Sequence, residues 1–178
     1  MRHIWVGRLL AAAAVIGLTV TAASADEATL RATAKLSGFQ ENTPKLTDGT
    51  GRFSATLEGG KLTYTLTYSG LSTPAFMAHI HFAQRGVNGG VFIWLCGSAS
   101  APGPAGTPTC PPGGGTVTRT ITAAAIQAVP DQGVPADGTF AGVVRILESG
   151  NAYANVHTTR FPGGEIRGQI KTDTDHSE

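Results

Sequence analysis

Cysteine is scarce in this sequence: the chain has 2 in 178 residues, Cys96 and Cys110, with no CxxC pair between them. That argues against a dithiol redox motif or a cysteine metal site. It leaves the two thiols as candidates for one structural disulfide across the loop GSASAPGPAGTPT. Closing a loop of that size stabilises a fold by about 3 kcal/mol in the chain-entropy model. Charge is sparse too, at 14% of residues, with 13 basic against 12 acidic side chains. No basic stripe or polybasic run is present, so neither nucleic acid nor an anionic membrane surface is an expected partner. Catalytic signatures are missing as well: there is no G-x-S-x-G elbow, no H-E-x-x-H and no phosphate-cradling glycine loop opening a helix. Scattered Ser, His and Asp residues form no recognisable triad, and no catalytic residue is assigned.

Long apolar runs are confined to the start of the chain. Arg2, His3 and Arg8 precede the run Leu9 to Ala23, which is too short to span a bilayer, and Ala23-Ser24-Ala25 supplies small residues at a cleavage site. Residues 1–25 therefore read as a signal peptide. The expected product starts at Asp26 and is exported, to the periplasm or outside the cell, with no membrane insertion after cleavage. Losing Arg2 and Arg8 leaves 11 basic against 12 acidic residues. Residues 26–171 are the size of one domain with its own core, and residues 172–178, which include His176, read as a polar, frayed tail.

The body of the chain is a series of alternating runs punctuated by glycine. In GRFSATLEGGKLTYTLTYSG, Gly59-Gly60 separates two such runs, the signature of a two-residue hairpin. Pairing Glu58 with Lys61 sets Leu57 opposite Leu62, Ala55 opposite Tyr64 and Phe53 opposite Leu66, all on one face. LRATAKLSG is an earlier strand, and AFMAHIHF, VFIWLCG and TVTRTIT are later ones. VFIWLCG is apolar on both faces and should be covered on both sides. TAAAIQAV reads as a short helix capped by Thr122 and ended near Pro130. Phe140, Val143, Val144 and Leu147 fall at helical spacing, giving a second short helix stopped by Gly150. After YANVH, the turn Phe161-Pro162-Gly163-Gly164 leads to a last strand, Glu165 to Lys171. The class is all-β: an antiparallel Greek-key β-sandwich or barrel of about eight strands with two short helices.

One short stretch carries chemistry. In AHIHF, His79 and His81 share a strand face while Ala78, Ile80 and Phe82 line the other. His157 joins them if the segment Asn151 to Thr158 lies beside the HIH strand. Three neutral imidazoles suit copper or zinc, with Glu165 the carboxylate to complete or orient the set. The same residues could instead be a structural tie, hydrogen-bonding with Asn155 and with the backbone. Glu165 and Arg167 share a face in GEIRG and could join such a polar network.

AHIHFAQRGVNGGVFIWL and GNAYANVHTTRFPGGEIRGQI resemble the paired signatures of the CHRD domain, the module named after chordin. The segment LSGFQENTPKLTDGTGRFSATL is similar to that family's opening strand and hairpin. The match rests on His79, His81, Asn88, Gly89, Asn151, Tyr153, Asn155, His157, Thr158, Pro162, Gly163, Gly164, Glu165, Ile166, Arg167 and Gly168. It departs at Phe82-Ala83-Gln84, where a glycine is more usual, and at the long cysteine loop. The resemblance implies an extracellular interaction module with an undefined protein or extracellular ligand and no established catalysis. The growth-factor binding associated with chordin's cysteine-rich repeats does not carry over, because no such repeats are present. His79, His81 and His157 are also similar in arrangement to the copper ligands of copper-zinc superoxide dismutases. The zinc loop and bridging histidine of those enzymes have no counterpart here. Two readings result: a CHRD-type binding module, or a copper- or zinc-binding protein, with redox chemistry as an option, built on the three histidines.

Overall fold

A computed structural model describes residues 29–135 and 139–175. The signal peptide expected over residues 1–25, and His176 in the expected tail, lie outside the described residues. Among the described residues, nine strands form one continuous antiparallel sheet: β1 (Thr29–Ser37), β2 (Thr50–Glu58), β3 (Lys61–Ser69), β4 (Ala75–Phe82), β5 (Gly90–Cys96), β6 (Gly115–Ile121), β7 (Ala152–Thr158), β8 (Ile166–Gln169) and β9 (Lys171–Asp175). Their spatial order is β5-β4-β7-β8-β1-β2-β3-β6, with β9 also paired to β1. The chain changes halves between β3 and β4, between β5 and β6 and again between β6 and β7, the long crossings of a Greek-key arrangement. The path nearly closes, since its ends β5 and β6 come into contact.

Alternation decides which faces meet. Leu30, Ala32, Ala34 and Leu36 of β1, Phe53, Ala55 and Leu57 of β2, and Leu62, Tyr64, Leu66 and Tyr68 of β3 are all buried. They form one core with Ala78 and Ile80 of β4, Phe92 and Leu95 of β5, and Ala154 and Val156 of β7. The Tyr64 hydroxyl crosses this core to donate to the Leu95 carbonyl at 2.5 Å, so it is buried without being left unpaired. The β2–β3 hairpin has the register expected from its sequence, Phe53↔Leu66 through Glu58↔Lys61. Gly59 and Gly60 have φ of 54° and 67°, the pair of positive angles that a type I′ turn requires.

Helix α1 (Phe140–Glu148) fills the expected second helical stretch. The Thr139 hydroxyl accepts from the Gly142 N–H, and Val143, Ile146 and Leu147 are buried. The first expected helix is not formed as such: TAAAIQAV holds one 3-10 turn, Ala123–Ala125, and Thr122 makes no side-chain cap. Beyond it the Gln127 N–H bonds to the Phe92 carbonyl and Val129 bridges to Val134, so tertiary partners outcompete helical ones. Two further expectations change. The last strand divides at Ile170, and residues 171–175, most of which read as tail, pair as β9 along Thr29–Thr33 of β1. Polar alternation is enough for an edge strand when the partner supplies the ladder.

Cys96, at the end of β5, is disulfide-bonded to Cys110. The tethered loop folds back so closely on β5 that a methyl group on Gly103 would sit 2.7 Å from Trp94 Cε3. Among the described residues, no helix is long and apolar enough to cross a membrane.

Candidate metal centre

The outer face of β4 and β7 is polar, yet it is buried. Pairing sets His79 opposite Asn155, His81 opposite Tyr153 and Met77 opposite His157 on one side of β4, and His79 opposite Trp94 on the other. Because side chains alternate, the same register that sends Ile80, Ala154 and Val156 into the core gathers His79, His81, Tyr153, Asn155 and His157 outside it. His79 is 3% exposed, His81 8% and His157 5%. One ring nitrogen from each lies within 4.8 Å of the others.

Three partners orient the rings. His157 Nδ1 lies 2.8 Å from the Pro162 carbonyl, and His81 Nδ1 lies 2.9 Å from the Gly89 carbonyl. A carbonyl only accepts, so both Nδ1 atoms carry hydrogen and both neutral rings present an Nε2 lone pair. His157 Nε2 faces His79 Nδ1 at 3.2 Å, and His81 Nε2 faces Asn155 Oδ1 at 3.1 Å. His79 Nε2 is buried with no hydrogen-bond partner among the described residues, and its ring meets Trp94 edge-on at 4.2 Å.

Burial governs the charge of the set. It holds His79 down to about 2 and His157 to about 4, with neighbouring imidazoles adding to the effect. It also lowers His81, against the opposing pull of the bonds to Gly89 and Asn155. All three rings are therefore neutral at ordinary pH, the state a metal requires of them. A stack supports the second histidine: Tyr153 lies parallel to His81 at 4.6 Å, and the Arg167 guanidinium sits 3.3 Å over the Tyr153 ring. Arg167 also donates to Val87 O, Gln84 O and Asn88 Oδ1, holding the 83–90 loop whose Gly89 carbonyl meets His81.

The carboxylate beside the site is Glu41, which nothing in its sequence context singled out. It is 6% exposed, and burial pushes it up to about 7, with Asn155 and Arg167 drawing it back only in part. A methyl group on Gly164 would lie 2.5 Å from both Glu41 Oε1 and Asn155 Nδ2, so the bare glycine backbone lets these two groups sit side by side. Glu165, expected as the orienting carboxylate, is engaged elsewhere. It accepts from Thr47 Oγ1 at 2.6 Å, from Ser72 N and Oγ at 2.8 Å, and from Thr158 Oγ1 at 2.6 Å. It is a clasp between loops, with no hydrogen bond to Arg167 or to an imidazole among the described residues. Asn155 meets His81 directly, while Arg167 reaches the histidines only through the Tyr153 ring and the 83–90 loop.

A family model for the CHRD domain matches residues 32–170, which covers both histidine-bearing strands and the loops that enclose them. The chain belongs to the CHRD domain family. No curated protein and no solved structure matches it. Within this CHRD domain, the two segments with the most recognisable sequence, AHIHF and NAYANVHTTRFPGGEIRG, pair as neighbouring strands. Their polar face is the histidine cluster.

Part of the donor set has the spacing of a transition-metal site: the three ring nitrogens lie within 4.8 Å of one another, wider than the about 4.2 Å two such bonds can span, so one ring must shift to close the set. Two nitrogens bound tetrahedrally at about 2.0–2.1 Å are about 3.3 Å apart, close to the 3.2 Å between His79 Nδ1 and His157 Nε2. At His81, a lone pair facing an amide oxygen is relieved either by rotation of the Asn155 amide or by a cation between them. All-imidazole ligation suits copper and zinc.

Proposed function

We propose that this CHRD domain is an exported binding module with a copper or zinc centre held by His79 Nδ1, His81 Nε2 and His157 Nε2. The observation that carries this reading is the convergence of three neutral, buried imidazoles, two of them fixed by backbone carbonyls on the opposite nitrogen. That is how ligating histidines are usually held. Copper or zinc supplies Lewis acidity at such a site, and copper adds one-electron chemistry. The protein's own part is positional. Pro162 and Gly89 fix two tautomers, Tyr153 and Arg167 hold the plane of His81, and Trp94 under the disulfide loop shields His79 from water.

Export is supported by the disulfide and by the leader-like first 25 residues. The test is elemental analysis of the purified protein and titration with copper and zinc, beside a His79→Ala/His157→Ala variant. One equivalent bound, and lost in a folded variant, supports the centre. No binding, with a fall in thermal stability of the variant, would make the cluster a structural tie and move the search for function to the loops.

A further inference from the structure

Four cations that lie apart in sequence come together where β1, β2 and β9 meet the 83–90 loop. A hollow of about 310 Å³ is lined by Lys35 of β1, Arg52 of β2, Arg85 of the 83–90 loop and Lys171 of β9, with Gln40 and Gln169. Among the described residues, no acidic residue lines it. Lys35 and Arg52 are directly opposite each other across β1 and β2. Like charges so placed destabilise a sheet. Four residues back along the same face of β1, Arg31 is instead opposite Asp173 of β9. Among the described residues, the side chains of Lys35, Arg52, Arg85 and Lys171 make no hydrogen bond or ion pair with a protein group. The Gln40 amide bonds the Lys35 carbonyl at 2.7 Å and the Gln169 amide bonds Ala83 O and Gly150 O, so the walls are fixed while the charges are free.

We propose that this hollow is a binding site for a phosphate- or sulfate-type oxyanion. Two guanidinium forks and two ammonium groups around a concave site of this size suit a compact, multiply charged acceptor better than a single carboxylate. The ligand relieves the Lys35–Arg52 repulsion, which no carboxylate among the described residues at that rung does. The proposal is independent of the metal centre, since none of its residues belongs to the histidine cluster.

The test is calorimetric titration of the full chain with inorganic phosphate at low salt, with acetate as comparison. The variants are Lys35→Gln/Arg52→Gln and, as a control at the hairpin turn, Lys61→Gln. Wild type and the control should bind phosphate in preference to acetate, and the double variant should bind it at least about tenfold more weakly. Without phosphate, the double variant should melt no lower than wild type, because a like-charge pair has been removed. Sedimentation with anionic against neutral phospholipid vesicles then separates the sources. Co-sedimentation that depends on Lys35 and Arg52 assigns a lipid headgroup, and its absence with phosphate binding intact assigns a free ion. Equal phosphate binding by wild type and double variant, or none by either, overturns the proposal.

Discussion

His79 Nδ1 lies 3.2 Å from His157 Nε2, a contact between adjacent strands whose histidines are 78 residues apart in sequence. Without metal, a hydrogen on His79 Nδ1 fills the gap and leaves Nε2 of the same ring with an unpartnered lone pair. Moving that hydrogen to Nε2 turns the contact into two converging lone pairs. His79 is therefore the adaptable member of the set, while His81 and His157 are fixed by carbonyls.

Asn155 carries the link between His81 and Glu41. Asn155→Leu should lower metal affinity, because a cation between His81 Nε2 and Asn155 Oδ1 loses its oxygen neighbour. It should also lower stability by roughly 1–3 kcal/mol, because Glu41 and His81 lose a buried polar neighbour. Metal titration and denaturant unfolding of the same variant read the two effects separately.

Acid should unfold the metal-free protein with a slope that the buried groups set. His79 and His157 stay neutral to about 2 and about 4 when folded, whereas an unfolded histidine takes up a proton near 6.5. The unfolded state binds more protons, so stability falls as pH drops below 6.5, by about 1.4 kcal/mol per pH unit for each ring. Glu41 acts in the opposite sense, since its folded value of about 7 means the folded state holds a proton that the unfolded state releases above 4.5. One histidine is offset between pH 4.5 and 6.5, leaving a net slope of at least about 1.4 kcal/mol per unit. Below 4.5 the offset ends. Burial raises Glu165, but bonds from Thr158, Thr47 and Ser72 outweigh it and hold it below the usual range, so its contribution is also lost there. Unfolding free energies measured across pH 4–7 should steepen at the acid end. A flat profile would contradict the assigned charge states.

Gly164→Ala tests the cradle beside the site. The glycine has φ of 124°, and its added methyl would press on Asn155 and Glu41. A loss of roughly 1–3 kcal/mol is expected from the backbone conformation alone, together with weaker metal binding as Asn155 is displaced. Thermal melts and titrations of this variant measure both.

Glu165→Gln should cost roughly 2–3 kcal/mol in stability, because an amide cannot accept from all four donors of Thr47, Ser72 and Thr158. Metal affinity should change little in the folded variant. A large loss of affinity would return Glu165 to the site.

Much of this was legible in the sequence where periodicity speaks. The β2–β3 register, the shared face of His79 and His81 and the helix at Phe140 follow from side-chain alternation and spacing, which are local properties. The convergence of His157 needed only the pairing of β7 with β4. Glu41 was hidden because it sits in ENTPKL, a stretch without period whose position is decided by its packing against Gly164 and Asn155. The basic hollow was hidden for a related reason: Lys35, Arg52, Arg85 and Lys171 are isolated in sequence, and only the sheet order brings them together. The first helix was misread because composition favours helix there, while the bonds that decide the conformation come from Phe92 and Val134.

The imidazole nitrogens themselves give the most direct reading of the proposed centre. Long-range proton–nitrogen NMR of uniformly labelled protein distinguishes protonated, bare and metal-bound ring nitrogens, before and after one equivalent of zinc. The expected metal-free spectrum has hydrogen on Nδ1 of all three rings. Zinc should then move His79 Nδ1, His81 Nε2 and His157 Nε2 to metal-bound positions, with hydrogen appearing on His79 Nε2. If these three nitrogens keep their metal-free shifts while zinc is saturating, the histidine cluster is not a metal centre.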